Sequence, residues 1–318
     1  MSTTTTADSP HRSGFVALCG RPNVGKSTLL NALLGQSVAV ATPRPQTTRQ
    51  RLVGIWTTEA FQVVLVDTPG IHRAKSALNR YMVDEALRAA RDVDLVLLLA
   101  EVPRLPSEEA LGDWTPGEVA KEGLAAVAEL GRPIVLVLTK TDRLLERDHL
   151  LVVIERWMAE HPFAAVVPTS ARDGVGLDQL RREVVARLPA GPRYYDAEQL
   201  SDRDLRWHAG ELVRAQLLAH LGEELPYSCA VTVTGFRERE DRDVVRATIF
   251  VERDSQKGMV IGRGGAMIKK LSSGARAQIG ELTGRPCELH LRVAVAKNWT
   301  KDPDALARLG YHEPPEEP

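Results

Sequence analysis

The chain has 318 residues, 43% of them hydrophobic and 26% charged, with a formal net charge of -1. That length suggests about two soluble domains, and the near-neutral balance excludes a global field that would draw the molecule to a polyanion, so any such binding must come from a local patch. Cys19, Cys229 and Cys287 are single and widely spaced, which gives no support to a zinc site and reads as small buried hydrophobes in a reducing cytosol.

In chain order, residues 1–13 are polar and lack the apolar core of a signal peptide, so a disordered tail is expected there. Residues 14–188 alternate apolar runs (FVALCG, FQVVLVDT, VDLVLLLA, PIVLVLTK, FAAVVPTS) with amphipathic segments such as ALNRYMVDEALRAA and LDQLRREVVARL. This pattern predicts a doubly wound α/β domain, a parallel sheet flanked by helices, whose ligands bind at the carboxyl ends of the strands. The longest apolar run, DLVLLLAEV, is far short of a membrane span. LPAGPRYYD, residues 188–196, then reads as linker sequence, and the linker is placed at 189–200. Over 201–300 the pattern predicts a long helix, a β-hairpin with EREDRD as its turn, a short helix, a glycine turn, a longer helix and a closing strand. That is an α+β domain, followed by a tail at 301–318.

The stretch GRPNVGKS, Gly20 to Ser27, fits G-x-x-x-x-G-K-S/T, follows an apolar strand and opens a helix. Backbone N–H groups of Gly20, Arg21, Asn23, Val24 and Gly25, with Pro22 bending the loop between them, frame an anion nest, and the helix N-terminus at Ser27 and Thr28 adds positive partial charge. Lys26 would reach the β- and γ-phosphates, and the Ser27 hydroxyl would bind Mg2+. In DTPG, Asp67 to Gly70 with Thr68 and Pro69 between, Asp67 would hold Mg2+ and the Gly70 N–H would meet the γ-phosphate. In TKTD, Asp142 would accept both guanine N–H groups and reject adenine, with Lys140 laid along the base. Ser170 and Ala171 end the next run, where the Ala171 N–H could meet guanine O6. The expected ligand is therefore GTP or GDP.

Two positions depart from the usual pattern. Thr139 stands where the guanine motif begins with Asn, and it cannot reproduce that amide's double contact with base and phosphate loop. Ile71 stands where Ras-like proteins carry a water-positioning Gln, so intrinsic hydrolysis should be slow. Asn23 could help by ligating K+, or could simply shape the loop. The polar stretch PRPQTTRQR, residues 43–51, is the expected first switch, with Thr48 (or Thr47) meeting Mg2+ and the γ-phosphate; its arginines could equally be solvated charges. His72 reads as a surface histidine of the second switch rather than a general base.

A second glycine turn lies in VIGRGGAMIKK. Its spacing does not fit a dinucleotide fingerprint, but Gly262, Arg263, Gly264 and Gly265 between two helices fit the G-x-x-G clamp that a KH domain places on single-stranded RNA. From Lys257 to Lys301 there are nine Lys and Arg, including Lys269, Lys270 and Lys297, against Glu281 and Glu288. This is the local basic patch that the neutral total requires. Trp299 could stack a base or pack the domain end.

Taken together, GRPNVGKSTLLNALLGQ, PQTTRQRLVGI, VDTPGIH, ELPYSCAV, VIGRGGAMIKK and KNWTKDP resemble the Era family of bacterial GTPases, from about residue 14 to 311. The resemblance implies a P-loop GTPase joined to a type II KH domain. It also implies binding to the 3′ end of small-subunit ribosomal RNA, a role in maturing the small ribosomal subunit, and peripheral association of a cytoplasmic protein with the inner membrane face. A proline-rich stretch, residues 101–123, looks longer than that family suggests. Two other readings share these motifs: an RNA-binding assembly factor with a structural nucleotide site, and a tRNA-modification or transport GTPase.

Overall fold

In the computed structural model the described residues are 11–42, 44, 47–71, 76–104, 114–144 and 149–311. The chain separates into two compact units that are not contiguous in sequence: 1–39, 51–72 and 86–202 form one, and 40–50, 73–85 and 203–318 form the other.

The first unit is built on six strands, β1 (Arg12–Gly20), β2 (Leu52–Thr57), β3 (Phe61–Asp67), β4 (Leu95–Glu101), β5 (Ile134–Thr139) and β6 (Ala165–Pro168), in the order β2-β3-β1-β4-β5-β6. Helices α1 (Lys26–Leu34), α3 (Glu118–Ala128), α4 (His149–Met158) and α5 (Leu177–Arg187) connect them, together with the last residues of α2 (Ala77–Ala89). Strand β5 is buried along its whole length and β4 all but its last residue, which is why both read as unbroken apolar runs rather than alternating ones. Five strands run parallel, as their spacing predicts, but β2 pairs antiparallel with β3. The reason is local. Thr58, Glu59 and Ala60 alone separate the two strands, and Thr58 N donates to Phe61 O at 2.8 Å; a connection that short allows only an antiparallel hairpin.

Both flanks of this unit are more ordered than their composition suggests. Arg12 and Ser13, placed in the expected tail, begin β1 and pair with Phe61 and Gln62. The expected linker is strapped down. Ser13 N donates to Pro189 O at 3.1 Å, and the Gln62 side chain accepts from the N–H groups of Tyr194 and Tyr195 at 2.7 and 3.0 Å.

The second unit carries a three-stranded sheet, β7 (Ala230–Glu238), β8 (Asp243–Val251) and β9 (Cys287–Val295), with β7 antiparallel and β9 parallel to the central β8. Helices α6 (Leu205–His220), α7 (Asp254–Ile261) and α8 (Ala266–Thr283) cover it, in the α-β-β-α-α-β order expected. Asp204 caps α6 by accepting from Trp207 N at 2.7 Å. The core gathers Val213, Leu217, Ile249, Val251, Val260, Leu271 and Ala275, all fully buried.

Residues 302–311, expected as a tail, form the short helix α9 (Pro303–Arg308) and end on buried Tyr311. Trp299, Ala305, Leu306 and Tyr311 make a second apolar cluster with Leu78 and Met82 of α2. No helix among the described residues is long and apolar enough to cross a membrane.

Candidate functional site

The parallel register sets Leu18 of β1 beside Asp67 of β3, so the loop Gly20–Ser27 and the turn Asp67–Gly70 leave neighbouring strand ends together. Gly20 sits at φ 145°, and a Cβ there would lie 2.5 Å from the Leu99 carbonyl oxygen. Gly25, at φ 104°, has nothing within 4 Å of its would-be Cβ, so its bare backbone faces open space. Only a loop with such freedom can turn its N–H groups inward toward an anion.

Lys26 is buried, and its ammonium donates to the carbonyls of Gly20 and Arg21 at 3.1 and 3.0 Å. Burial pushes this ammonium below its ordinary pKa, with the Asp67 carboxylate and Cys19 opposing the shift. Ser27 Oγ donates to Asp67 Oδ2 at 2.7 Å, with both residues buried. A hydroxyl and a carboxylate oxygen side by side are hard donors of the kind Mg2+ takes, so these residues fit that ion. Gly70 packs directly on the loop: a Cβ there would stand 2.5 Å from Pro22 N. Ile71 N donates to Gly20 O at 3.0 Å, while the Ile71 side chain turns into the core toward Gly123. Thr68 Oγ1 holds the Leu18 carbonyl at 2.7 Å, and Pro69 is buried. Arg21 and Asn23 are exposed on the loop, with Asn23 at φ 65°, and Thr28 is exposed in the first turn of α1.

The candidate base site lies at the ends of β5 and β6. Ser170 Oγ donates to Asp142 Oδ1 at 2.8 Å and orients that carboxylate. Lys140, at φ 61°, donates to Asn23 O at 2.5 Å and to Glu101 Oε2 at 2.7 Å, so its stem bridges the phosphate loop and the TKTD turn. Thr139 was expected not to reproduce an amide's double contact with base and phosphate loop, and it supplies one of the two. Its hydroxyl donates to the Val24 carbonyl at 2.6 Å, so threonine keeps the tie to the phosphate loop. Ala171 is half-buried beside Ser170.

Two groups escaped the sequence reading. Glu101 anchors both Lys140 and Arg143, and its only signal is a carboxylate at the end of β4. Arg172 places Nη1 3.4 Å from the second Asp142 oxygen. No motif marks either residue. His72, and residues 105–113 of the proline-rich stretch, lie outside the described residues.

In the second unit, Gly262, Gly264 and Gly265 have φ 75°, 58° and 80°. A Cβ at Gly262 would lie 2.7 Å from Met267 Cβ, whereas Gly264 has nothing within 4 Å. The turn is closed by Gly265 N donating to Gly262 O at 3.1 Å. Arg263, Lys269, Lys270 and Lys297 are all exposed. Met259, just before the turn, is 61% exposed and was not singled out from sequence. Trp299 is fully buried, stacks on Tyr311 at 5.7 Å and donates to Ser228 O; it packs the domain end and is no base-stacking platform. In segment 40–50, Thr48 is half-buried and Arg49 is only 2% exposed, so the arginine is not a solvated charge.

Comparison with known proteins bears on these two sites. A family model described as a 50S ribosome-binding GTPase matches residues 15–140, and a KH-domain model matches 224–300. The GTPase Era of Geobacter metallireducens is 45% identical over 96% of this chain and 99% of its own, and that of Lactobacillus helveticus is 40% identical over 94% and 96%. The chain belongs to the Era GTPase family. Among solved structures, an Era in complex with MgGDPNP and nucleotides 1506–1542 of 16S ribosomal RNA matches at TM-score 0.88 and 30% identity, covering 95% of this chain and 100% of that one. A variant of Aquifex aeolicus Era bound to GDP.AlF4- matches at TM-score 0.85 and 30% identity, with the same coverage. Membership of the Era family gives the chain a GTPase domain, matched over 15–140, and a KH domain, matched over 224–300, as the strand-loop-helix and G-x-x-G contexts predict.

Proposed function

We propose that this Era-family GTPase is a switch whose output is RNA binding: it binds the 3′ end of small-subunit ribosomal RNA through its KH domain and acts in maturing the small ribosomal subunit. The observation that carries this reading is the full-length likeness to the Era solved with both MgGDPNP and ribosomal RNA.

In this reading the backbone of Gly20–Gly25, the start of α1 and Gly70 receive the phosphates. Lys26 exchanges its carbonyl partners for β- and γ-phosphate oxygens. Ser27, Asp67 and Thr48 hold Mg2+, which supplies neutralisation of the charge that builds on the phosphates. Asp142, held by Ser170, accepts the guanine N–H groups, Lys140 lies along the base, and Ala171 donates to O6. Buried Ile71 points away from any attacking water, so turnover is slow. Asn23 offers its side chain to K+, which would add positive charge where an arginine finger acts in other GTPases.

On the RNA side, Gly262–Gly265 let the backbone approach phosphate, Arg263, Lys269, Lys270 and Lys297 supply charge, and exposed Met259 gives bases an apolar contact. The protein acts in the cytoplasm, and any contact with the inner membrane face is peripheral.

The test is the affinity of the full chain for a short oligonucleotide matching the 3′ end of small-subunit rRNA, compared at fixed salt between the GDP-loaded and GDPNP-loaded protein. Tighter binding in one state supports a GTP-gated output. Equal binding removes the gate, and no binding in either state removes the RNA reading.

A further inference from the structure

The parallel register of β4 and β5 sets Glu101 beside Thr139. Val102 N donates to Thr139 O at 3.1 Å, so the two strands stay joined up to the point where the TKTD turn begins. Glu101 Oε2 accepts from the Lys140 ammonium at 2.7 Å, and its Oε1 accepts from Arg143 Nη1. Lys140 and Arg143 are the two ends of one tight turn, closed from within by Arg143 N donating to Lys140 O at 2.9 Å. One carboxylate therefore closes from outside the turn that carries Asp142. All three side chains are partly buried, at 31% exposed for Glu101, 23% for Lys140 and 35% for Arg143. A lone surface ion pair contributes little, but a shared carboxylate with both oxygens used forms a network.

Lys140 needs such a hold. Its φ of 61° lies in the left-handed region, which costs a residue with a side chain about 1 kcal/mol or more. Asn23, whose carbonyl accepts from the Lys140 ammonium at 2.5 Å, sits at φ 65°. Two left-handed residues, one in the phosphate loop and one in the TKTD turn, are thus tied by a single hydrogen bond. Such backbone persists only where its surroundings over-determine it. Here the ammonium is drawn by the loop carbonyl on one side and by the Glu101 carboxylate on the other. Between those two anchors the course of the four-carbon stem is fixed.

We propose that Glu101 is a positioning residue of the guanine site and acts through Lys140, holding its stem where the base stacks. This rests on the role given above to Lys140 and adds what keeps that residue in its strained place. It gives β4, whose sequence carries no nucleotide signature, a part in nucleotide binding. The stem meets the face of the base and not its edge. Glu101 therefore sets how tightly the base is held, while the choice of base stays with Asp142.

The experiment is a double-mutant cycle on the full chain, using Glu101→Gln, Lys140→Met and the pair, with Glu101→Asp as the conservative variant. Glutamine keeps the shape but can accept from only one of the two cations with its single oxygen. Methionine keeps an apolar stem without a donor. Affinities for GDP and for IDP, which lacks the guanine amino group, are measured by calorimetry on each. The melting temperature of the nucleotide-free protein is followed alongside. Glu101→Gln is expected to weaken GDP binding by about tenfold, the worth of a hydrogen bond between charged groups. IDP binding should weaken by the same factor, and Glu101→Asp should fall between the glutamine variant and the parent.

The deciding result is that the double variant binds GDP no more weakly than Lys140→Met alone, because Glu101 then acts through Lys140. Multiplying losses overturn the proposal and leave the role of Lys140 standing. So does a lower melting temperature in Glu101→Gln with GDP affinity kept, which would make the network structural only. A larger loss for GDP than for IDP also overturns it, since Glu101 would then act on the base edge through Asp142. No loss in Lys140→Met removes that residue from the base, and the proposal with it. Should Glu101→Gln fail to fold, Glu101→Asp carries the same cycle.

Discussion

At the scale of single residues, Asp142 and Thr139 show what a motif reveals and what it hides. The run TKTD marks Asp142 as the proposed guanine reader because a carboxylate can accept from the guanine edge and not from adenine's. The carboxylate's orientation was not legible, since it comes from Ser170, 28 positions further on, and from Arg172, which no motif names. Thr139 was expected not to make both of an amide's contacts, and one of the two is kept. Its hydroxyl still reaches the Val24 carbonyl, and the missing half is the amide's contact with the base. Thr139→Asn should therefore tighten GDP binding by about fivefold, the worth of about 1 kcal/mol for one neutral hydrogen bond. Calorimetric titration with GDP checks this. An unchanged affinity would mean that the base makes no contact at this position.

At the scale of elements, the order of helices and strands was legible wherever hydrophobic period and turn chemistry agreed. That covers the five parallel strands and the whole α-β-β-α-α-β series. It failed where long-range pairing overrode polar composition: at Arg12 and Ser13, and at α9, whose Tyr311 reaches a core no local pattern announces. The second glycine turn was found from its flanking helices, but its glycines are not equivalent. Gly262 has both a positive φ and a would-be Cβ only 2.7 Å from Met267, whereas Gly264 has a positive φ and open space. Gly262→Ala should therefore lower Tm clearly, while Gly264→Ala should cost only the left-handed penalty of about 1 kcal/mol. Because its new methyl stands where phosphate would approach, Gly264→Ala should instead weaken RNA binding. Thermal melts and RNA titrations on both variants separate these effects. The reverse ranking would mean that the open side of Gly264 does not face the RNA.

At the scale of the whole molecule, a chain with net charge -1 carries nine basic against two acidic residues between 257 and 301. Not all of that charge is available, since Arg285 leans on Asp243 and Glu238 and donates to the Arg239 carbonyl. If the turn clamps about four nucleotides, the logarithm of RNA affinity should fall against that of salt concentration with a slope of about -3. A titration series from low to moderate salt gives that slope, and a flat line would exclude phosphate contacts as the source of affinity.

The two units share the chain in an interleaved way, and this bears on how such a protein can be divided. A gene cut after residue 202 would leave Leu78 and Met82 on the first fragment without their partners, and would take them from the cluster around Trp299 in the second. Neither product would be a self-sufficient module, so the two halves could not be exchanged with other proteins by joining ends. They have to be inherited, expressed and engineered as one piece.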